Sequence, residues 1–212
     1  MEKVKSIMVL DIETLPNKLD ENMSKLLDHK VRNEEESKKE RKKLEYRFHE
    51  PAYARICCIS TYYHNPIKGV DQERTFFSRD NEKEVLENFI NYISSFKGVF
   101  VHFNGLDFDI PFILFKCCQY GIEPPPRFCN LIRFRTDPHF DIFQLLNAWG
   151  KFRLSLAEAC EVFGIKNSKD ELHGLDTLTF LSQASDEDIQ IYNKADVFST
   201  FKLYQKGIKV FQ

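Results

Sequence analysis

The 212-residue sequence predicts an α/β domain, a mixed β-sheet flanked by helices in three layers. Three observations predict it. Short apolar runs of strand character recur at 4–10, 54–63 and 98–104. Segments between and after them carry apolar residues at helical spacing, with Ser or Asn caps before them and Gly behind. The order is strand, charged excursion, hairpin, helix, strand, helix, short helices, long helix. The hairpin strands are then antiparallel, and the strand after the first crossover helix runs parallel to the first.

The first strand is VKSIMVL (4–10), followed by a loop through TLPN. Residues 18–50 hold ten Lys or Arg and nine Asp or Glu in 33 positions, which predicts a solvated helix pair or one long helix inserted in the domain. ARICCISTYY (54–63) and ERTFFS (73–78) flank a turn at Pro66 and Gly69. Asn81, with Glu84 three residues on, opens a helix whose Val85, Leu86, Phe89, Ile90 and Ile93 share one face. GVFVHFN (98–104) is another buried strand, and a helix over about 110–120 stops at Gly121 and three prolines. HFDIFQLL (139–146) suits a strand or a helix start. Ser155 and Glu158 form a capping box for a helix ending at Gly164, and Ser185 with Asp188 opens the long last helix.

Composition excludes several classes. Hydrophobic residues make up 42% and charged residues 29%, an ordinary folded balance, and the net charge of −2 excludes a globally basic nucleic-acid coat. No apolar run approaches the length of a membrane helix, and the N-terminal run stops at Asp11, too early for a signal-peptide core. One domain over residues 1–212 is expected. The six cysteines lack zinc spacing and sit mostly in apolar runs, which suits buried thiols in a reducing, cytoplasmic setting.

Three acidic features fall where elements end. Asp11 and Glu13 are two apart, so on a strand both carboxylates face the same way, a repulsive pair that a cation would relieve. NGLDFD (104–109) follows a strand directly and places an amide and carboxylates at a strand-to-helix junction, where α/β sheets bind ligands. Either Asp107 or Asp109 also suits a helix cap. Tyr192 and Asp196 share one face of the last helix at spacing i, i+4, and Asp196 lies in an apolar stretch where a buried acid needs a partner.

On these residues, DIET (11–14), HFNGLDFDIPFI (102–113) and YNKADV (192–197), the chain resembles the DEDDy 3′–5′ exonucleases. Within them it is most similar to stand-alone predicted exonucleases related to the proofreading domain of family B DNA polymerases. The strand Ile56–Ser60 and SKDELHG (168–174) extend the resemblance; residues 18–50 read only as a variable insertion. The resemblance implies an RNase H-like (DnaQ-like) fold and hydrolysis of phosphodiesters from a free 3′ end, releasing 5′-mononucleotides. It implies that Asp11, Glu13, Asp109 and Asp196 bind two metal ions and that Tyr192 orients the attacking water. It also implies that Thr14 and Asn104 touch the terminal nucleotide and Leu106 wedges beside a base. Four carboxylates suit Mg²⁺ or Mn²⁺ and not zinc. The expected partner is single-stranded DNA, with no membrane. An RNA exonuclease of the same family and a non-cleaving nucleic-acid-binding module are the alternatives. Asp141 is a candidate support outside the core set, His102 reads as strand filler, and Arg127, Arg133 and Arg135 are either a phosphate-contacting rim or a solvated surface.

Overall fold

The structure, a computed structural model, describes residues 5–166 and 176–211, so the SKDELHG segment lies outside the described residues. A five-stranded sheet has the order β3-β2-β1-β4-β5. Its strands are β1 (Ile7–Pro16), β2 (Ala54–Asn65), β3 (Val70–Phe77), β4 (Val99–His102) and β5 (His139–Asp141). β1 pairs antiparallel with β2 and parallel with β4; β2–β3 is the expected antiparallel hairpin, and β5 adds parallel to β4.

The two faces of β1 divide the molecule. Met8, Leu10 and Ile12 point into a core built on α3 (Glu82–Ile93) and α4 (Asp109–Tyr120), where Val85, Leu86, Phe89, Ile90 and Ile93 are all buried. Ile7 and Val9 point to the other face, against Val197, Phe201 and Leu203 of α8 (Asp186–Phe211). Strand alternation then sends Asp11 and Glu13 toward α8 as well. The sequence pattern therefore decides which helix meets the acids.

The charged excursion is a helix pair, α1 (Glu21–Lys30) and α2 (Glu36–His49). Asp20 caps α1 by accepting from the Met23 N–H at 2.8 Å. Lys43 reaches across to Asp28 at 2.8 Å, and the many i, i+3 pairs along α2 are solvent-exposed links of small individual worth. Leu27, Val31 and Phe48 fix the pair to the body by burial. Further on lie α5 (Ile142–Leu146), which continues directly from β5, then α6 (Leu156–Phe163) and α7 (Thr177–Gln183). The capping box of Ser155 and Glu158 and the left-handed Gly164 bound α6 as expected.

Two expectations are corrected. β1 continues through the segment expected as a loop, because β2 is long enough to pair with Thr14, Leu15 and Pro16. A register shift after Glu13 leaves Cys57 opposite no partner, and its carbonyl instead accepts from Ser78. Such irregularities re-aim side chains beside functional sites. The second correction is α7, a short helix before the long one whose position was not among those expected. All six cysteines are free, and Cys57, Cys58, Cys117 and Cys160 are buried, whereas Cys118 and Cys129 are exposed.

Candidate active site

Asp11 and Glu13 leave β1 on the face that α8 covers, and α8 presents Tyr192, Asn193 and Asp196 to them. Carboxylate oxygens of Asp11, Glu13 and Asp196 all lie within 4.8 Å of one another. Asp109 stands at the first turn of α4, nearly fully buried, and its Oδ1 accepts from the Ile12 N–H at 3.0 Å. That bond ties the helix entrance to the strand that carries the other two acids.

The acids perturb one another. Burial pushes the Asp11 carboxyl well above its ordinary range, and Asp109, Glu13 and Asp196 push it further. Burial raises Asp109 to about 7, although the Ile12 N–H opposes the rise and Asp141 and Asp196 add to it. Like charges crowded in a poorly solvated site hold protons unless a cation joins them. The cleft between them has a volume of about 270 Å³, and among the described residues no Lys or Arg lines it. The donors are hard oxygens without thiol or imidazole in the cluster, a set that fits a divalent cation of the Mg²⁺ or Mn²⁺ kind.

Tyr192 is buried beside Asp196, its ring 5.4 Å from that of Phe180 in α7. Burial first, then Asp196 and Glu13, push its phenol up, opposed by a hydrogen bond to Thr177. The hydroxyl therefore stays protonated at any physiological pH and is a hydrogen-bonding group, not a free base. Thr14 lines the same cleft, with its hydroxyl donating to the Phe48 carbonyl at 2.6 Å. Asn104 lines it too, with a left-handed backbone (φ 69°). Leu106 does not: its side chain is buried and it is not part of the cleft wall.

Several contributors lay outside the expected core set, Asp141 among them as a candidate support. Asn193 is fully buried, donates to Asp11 Oδ2 at 2.7 Å and accepts from Cys58 Sγ at 3.3 Å, so it holds one acid in place. The signal for it was an amide inside the YNKADV run. Asp141 ends β5 and accepts from the N–H groups of Asn104 and Leu106, each at 2.9 Å, and of Gln144 at 3.3 Å. Burial raises its carboxyl to about 6 against the pull of these bonds. It thus fixes the loop that carries Asn104. Gly105 lets this loop cross the end of β4, since a Cβ there would lie 2.6 Å from the His102 side chain. Phe48 and His49, from the end of the charged excursion, form part of the cleft wall, and burial pushes the His49 imidazole below its ordinary value.

The expected arginine rim divides. Arg127 is a structural strap, bonded to the Gly98 carbonyl at 3.1 Å and to Asp137 at 2.6 Å. It is neither a phosphate-contacting rim nor a solvated surface but part of the frame. Arg133 lies beside the loop and pairs with Asp107 at 3.0 Å. His102 is more than filler: it stacks on His139, ring centroids 5.0 Å apart, in a fully buried pair.

No helix among the described residues is long and apolar enough to cross a membrane. The fold is similar to solved structures of low sequence identity. A family B DNA polymerase from the hyperthermophilic archaeon Pyrobaculum calidifontis superposes with a TM-score of 0.62 at 15% identity, over 97% of this chain and 25% of that one. The zinc-bound form of the E. coli ExoI–ssDNA complex does so with a TM-score of 0.55 at 9% identity, over 97% and 41%. The chain thus spans a quarter to two-fifths of these proteins, and the likeness establishes an RNase H-like fold. No curated protein matches. A family model described as a predicted 3′–5′ exonuclease related to the exonuclease domain of PolB matches residues 46–211, a span that holds Asp109, Tyr192 and Asp196 and leaves β1 outside. With most of its length so matched, the chain belongs to this family of predicted 3′–5′ exonucleases.

Proposed function

We propose that this exonuclease degrades single-stranded DNA from its 3′ end and releases 5′-mononucleotides, with two divalent ions, Mg²⁺ or Mn²⁺, held by Asp11, Glu13, Asp109 and Asp196. The observation that carries this reading is the convergence of these acids with Tyr192 in one cleft whose described walls offer no Lys or Arg. A phosphodiester entering such a cleft needs a cation to offset the acids. When bound, divalent ions lower the pKa of water and stabilise charge building on phosphate oxygens. The protein's own groups supply the positioning. The Tyr192 hydroxyl, kept protonated, offers a hydrogen bond that orients the attacking water. Asn193 and the Ile12 N–H fix two of the acids, and Asp141 fixes the loop that presents Asn104 to the terminal nucleotide. Thr14 contributes to the same nucleotide pocket, whereas Leu106, buried behind the cleft wall, supports the loop and does not reach the base. The domain is read as one unit over 1–212 with an insertion at 18–50, acting in DNA repair in a reducing compartment such as the cytoplasm, where its free thiols persist.

The test is degradation of 3′- and 5′-labelled DNA and RNA oligomers with EDTA, Mg²⁺ or Mn²⁺. Stepwise loss of nucleotides from the 3′ end of DNA, abolished by EDTA and restored by either ion, is expected. Undiminished cleavage in EDTA sinks the metal reading. Preference for RNA moves the substrate to the related ribonucleolytic class, and strand binding without cleavage in any metal makes the domain a binding module.

A further inference from the structure

Beyond the cleft, two loops display an aromatic and basic surface that the site does not use. Residues 129–136 (CNLIRFRT) and 142–157 (IFQLLNAWGKFRLSLA), the latter comprising α5, the loop after it and the first residues of α6, contain no Asp or Glu. From the first loop Phe134 stands 73% exposed, and its ring lies 4.4 Å from that of Trp149 in the second. Phe152 is 62% exposed beside them in sequence, between Lys151 and Arg153. Large aromatics so exposed are costly unless they meet a partner.

The display is built, not incidental. Among the described non-glycine residues four have positive φ: Asn104 at the cleft, and Phe134, Ala148 and Trp149 here. Such conformations cost energy and persist only where surrounding contacts impose them. The fully buried Asn147 imposes this one: its side chain accepts from the Leu154 N–H and donates to the Leu154 carbonyl, and its own carbonyl accepts from Gly150 and Phe152. The charges are available. Arg135, Lys151 and Arg153 form no ion pair with a described residue, while Arg133 pairs with the exposed Asp107.

The surface also borders the cleft. Asp107, in the loop between the cleft residues Asn104 and Phe108, bonds to Arg133 of the first loop and Gln144 at the start of the second. The cleft residue Phe103 meets Phe143 edge-on at 5.5 Å, and the second loop ends at Leu156, itself in the cleft wall. A strand whose 3′ end sits in the cleft and whose preceding nucleotides leave by this wall runs onto Phe134 and Trp149.

We propose that Phe134, Trp149 and Phe152, with Arg135, Lys151 and Arg153, form a stacking track for the nucleotides of a single strand upstream of the one held in the cleft. This rests on the cleft being the nuclease site. Bases stack on aromatic rings regardless of sequence, and free cations beside them supply charge for a phosphate backbone. The track would make binding depend on strand length, whereas a short oligomer engages only the cleft.

Trp149 is the only tryptophan in the chain, so its emission reports this surface alone. The probes are dT20, dT4 and an rU20 arm, titrated in EDTA so that binding is read without turnover. Quenching of Trp149 by dT20 but not by dT4 is expected; equal quenching by rU20 extends the track to RNA and still supports it. Phe134→Ala should weaken dT20 binding by about five- to 150-fold, the range for losing one stacking platform, and Phe134→Tyr should restore it. The triple variant Arg135→Gln, Lys151→Gln, Arg153→Gln should flatten the salt dependence of log K by roughly 2, for three phosphates on a single strand. Each variant should hydrolyse dT4 at the wild-type rate. Absence of quenching by dT20, or a dimer that forms with rising protein concentration and disappears in Phe134→Ala, overturns the track. Hydrolysis of dT4 without quenching by dT20 removes the track and leaves the nuclease; quenching by dT20 with no hydrolysis of any strand leaves the track and removes the nuclease.

Discussion

On the α3–α4 side of the sheet, Glu82 is buried with its bonds made: it accepts from the Ile56 N–H at 2.6 Å and the Tyr120 hydroxyl at 2.8 Å, and meets the buried Lys116 at 3.3 Å. On the α8 side, Asp11, Glu13, Asp109 and Asp196 are gathered, and burial together with the neighbouring carboxylates raises the proton affinity of Asp11 and Asp109. Both regions bury carboxylates, which is costly. The first answers the cost with a cation and donors inside the fold. The second keeps like charges together and opens them to a cleft, an arrangement that stability alone does not select. The comparison separates an acid that holds the fold from acids that await something else.

Breaking the first region should cost stability most. Glu82→Gln leaves the Lys116 ammonium buried without its counter-charge, and removing one partner of a buried pair costs about 3–5 kcal/mol. Urea denaturation of the variant measures it, and nuclease activity at low temperature should survive. A loss below about 1 kcal/mol would show that water or another group serves Lys116.

Breaking the second region should do the reverse. Asp109→Asn keeps the shape and deletes a charge, so activity should fall by at least about 100-fold, since disturbing even a residue that supports a metal ligand costs 10- to 100-fold. Stability of the metal-free protein should rise. The sign follows from linkage. The folded pKa of Asp109 is raised from 3.8 to about 7. A raised folded pKa contributes stability that is full below the unfolded value and lost as pH rises through the folded one. The wild type should therefore fall progressively below Asp109→Asn in melting temperature as pH rises from about 4 to about 7, and a divalent ion should narrow the gap. A gap independent of pH would mean that Asp109 is ionised throughout.

Tyr192→Phe tests a smaller effect. The ring remains against Phe180, and only the hydroxyl is lost. A drop in kcat of about 10- to 1,000-fold is expected, in the range for a group that positions a reacting water. Melting temperature should hardly move, and a wild-type rate would return Tyr192 to the packing of the core.

The acids of this comparison were legible in the sequence because local rules place them. Strand alternation sends Asp11 and Glu13 to one face, and helical spacing sets Tyr192 over Asp196. The caps at Asn81, Ser155 and Ser185 bound their helices as read. What escaped depended on partners far away in the chain. The extension of β1 to Pro16 is set by the length of β2, 38 residues on from Pro16 at Ala54. Asn193 looks like any buried polar residue until Asp11 arrives beside it, and Asp141, read only as a candidate support, shows what it holds once the Asn104 loop is in place. The excursion at 18–50 read as solvated surface from its charges, yet its last turn brings Phe48 and His49 to the cleft. The region built like Glu82 was silent for the same reason, since its satisfaction joins α3, α4 and β2.

The smallest effect is expected at Asp107, two residues from Asp109 and built in neither manner. The resemblance selects the acid directly after the aromatic, and the structure separates the two physically. Asp109 is buried and bonded to β1, whereas Asp107 is exposed on the outer side of the loop, with its carboxylate shared between Arg133 and Gln144. Its ion pair is solvent-exposed and worth about 0–1 kcal/mol. Asp107→Asn keeps an acceptor for Gln144 and should change kcat/KM on a short oligomer by less than about tenfold, with melting temperature nearly unchanged. On dT20 it should act in the opposite direction from Phe134→Ala and from the Arg135, Lys151 and Arg153 variant. Releasing Arg133 adds a free cation to the Phe134–Trp149 surface, so binding should tighten and its salt dependence steepen by about 0.7 on a logarithmic scale for one further phosphate. Measuring kcat/KM for Asp107→Asn and Asp109→Asn on dT4, and Kd for both on dT20, sets the two acids apart. If Asp107→Asn is inactive while Asp109→Asn is near normal, the second acid of the site is Asp107, and the buried bond from Asp109 to Ile12 belongs to the fold in the way that Glu82 does.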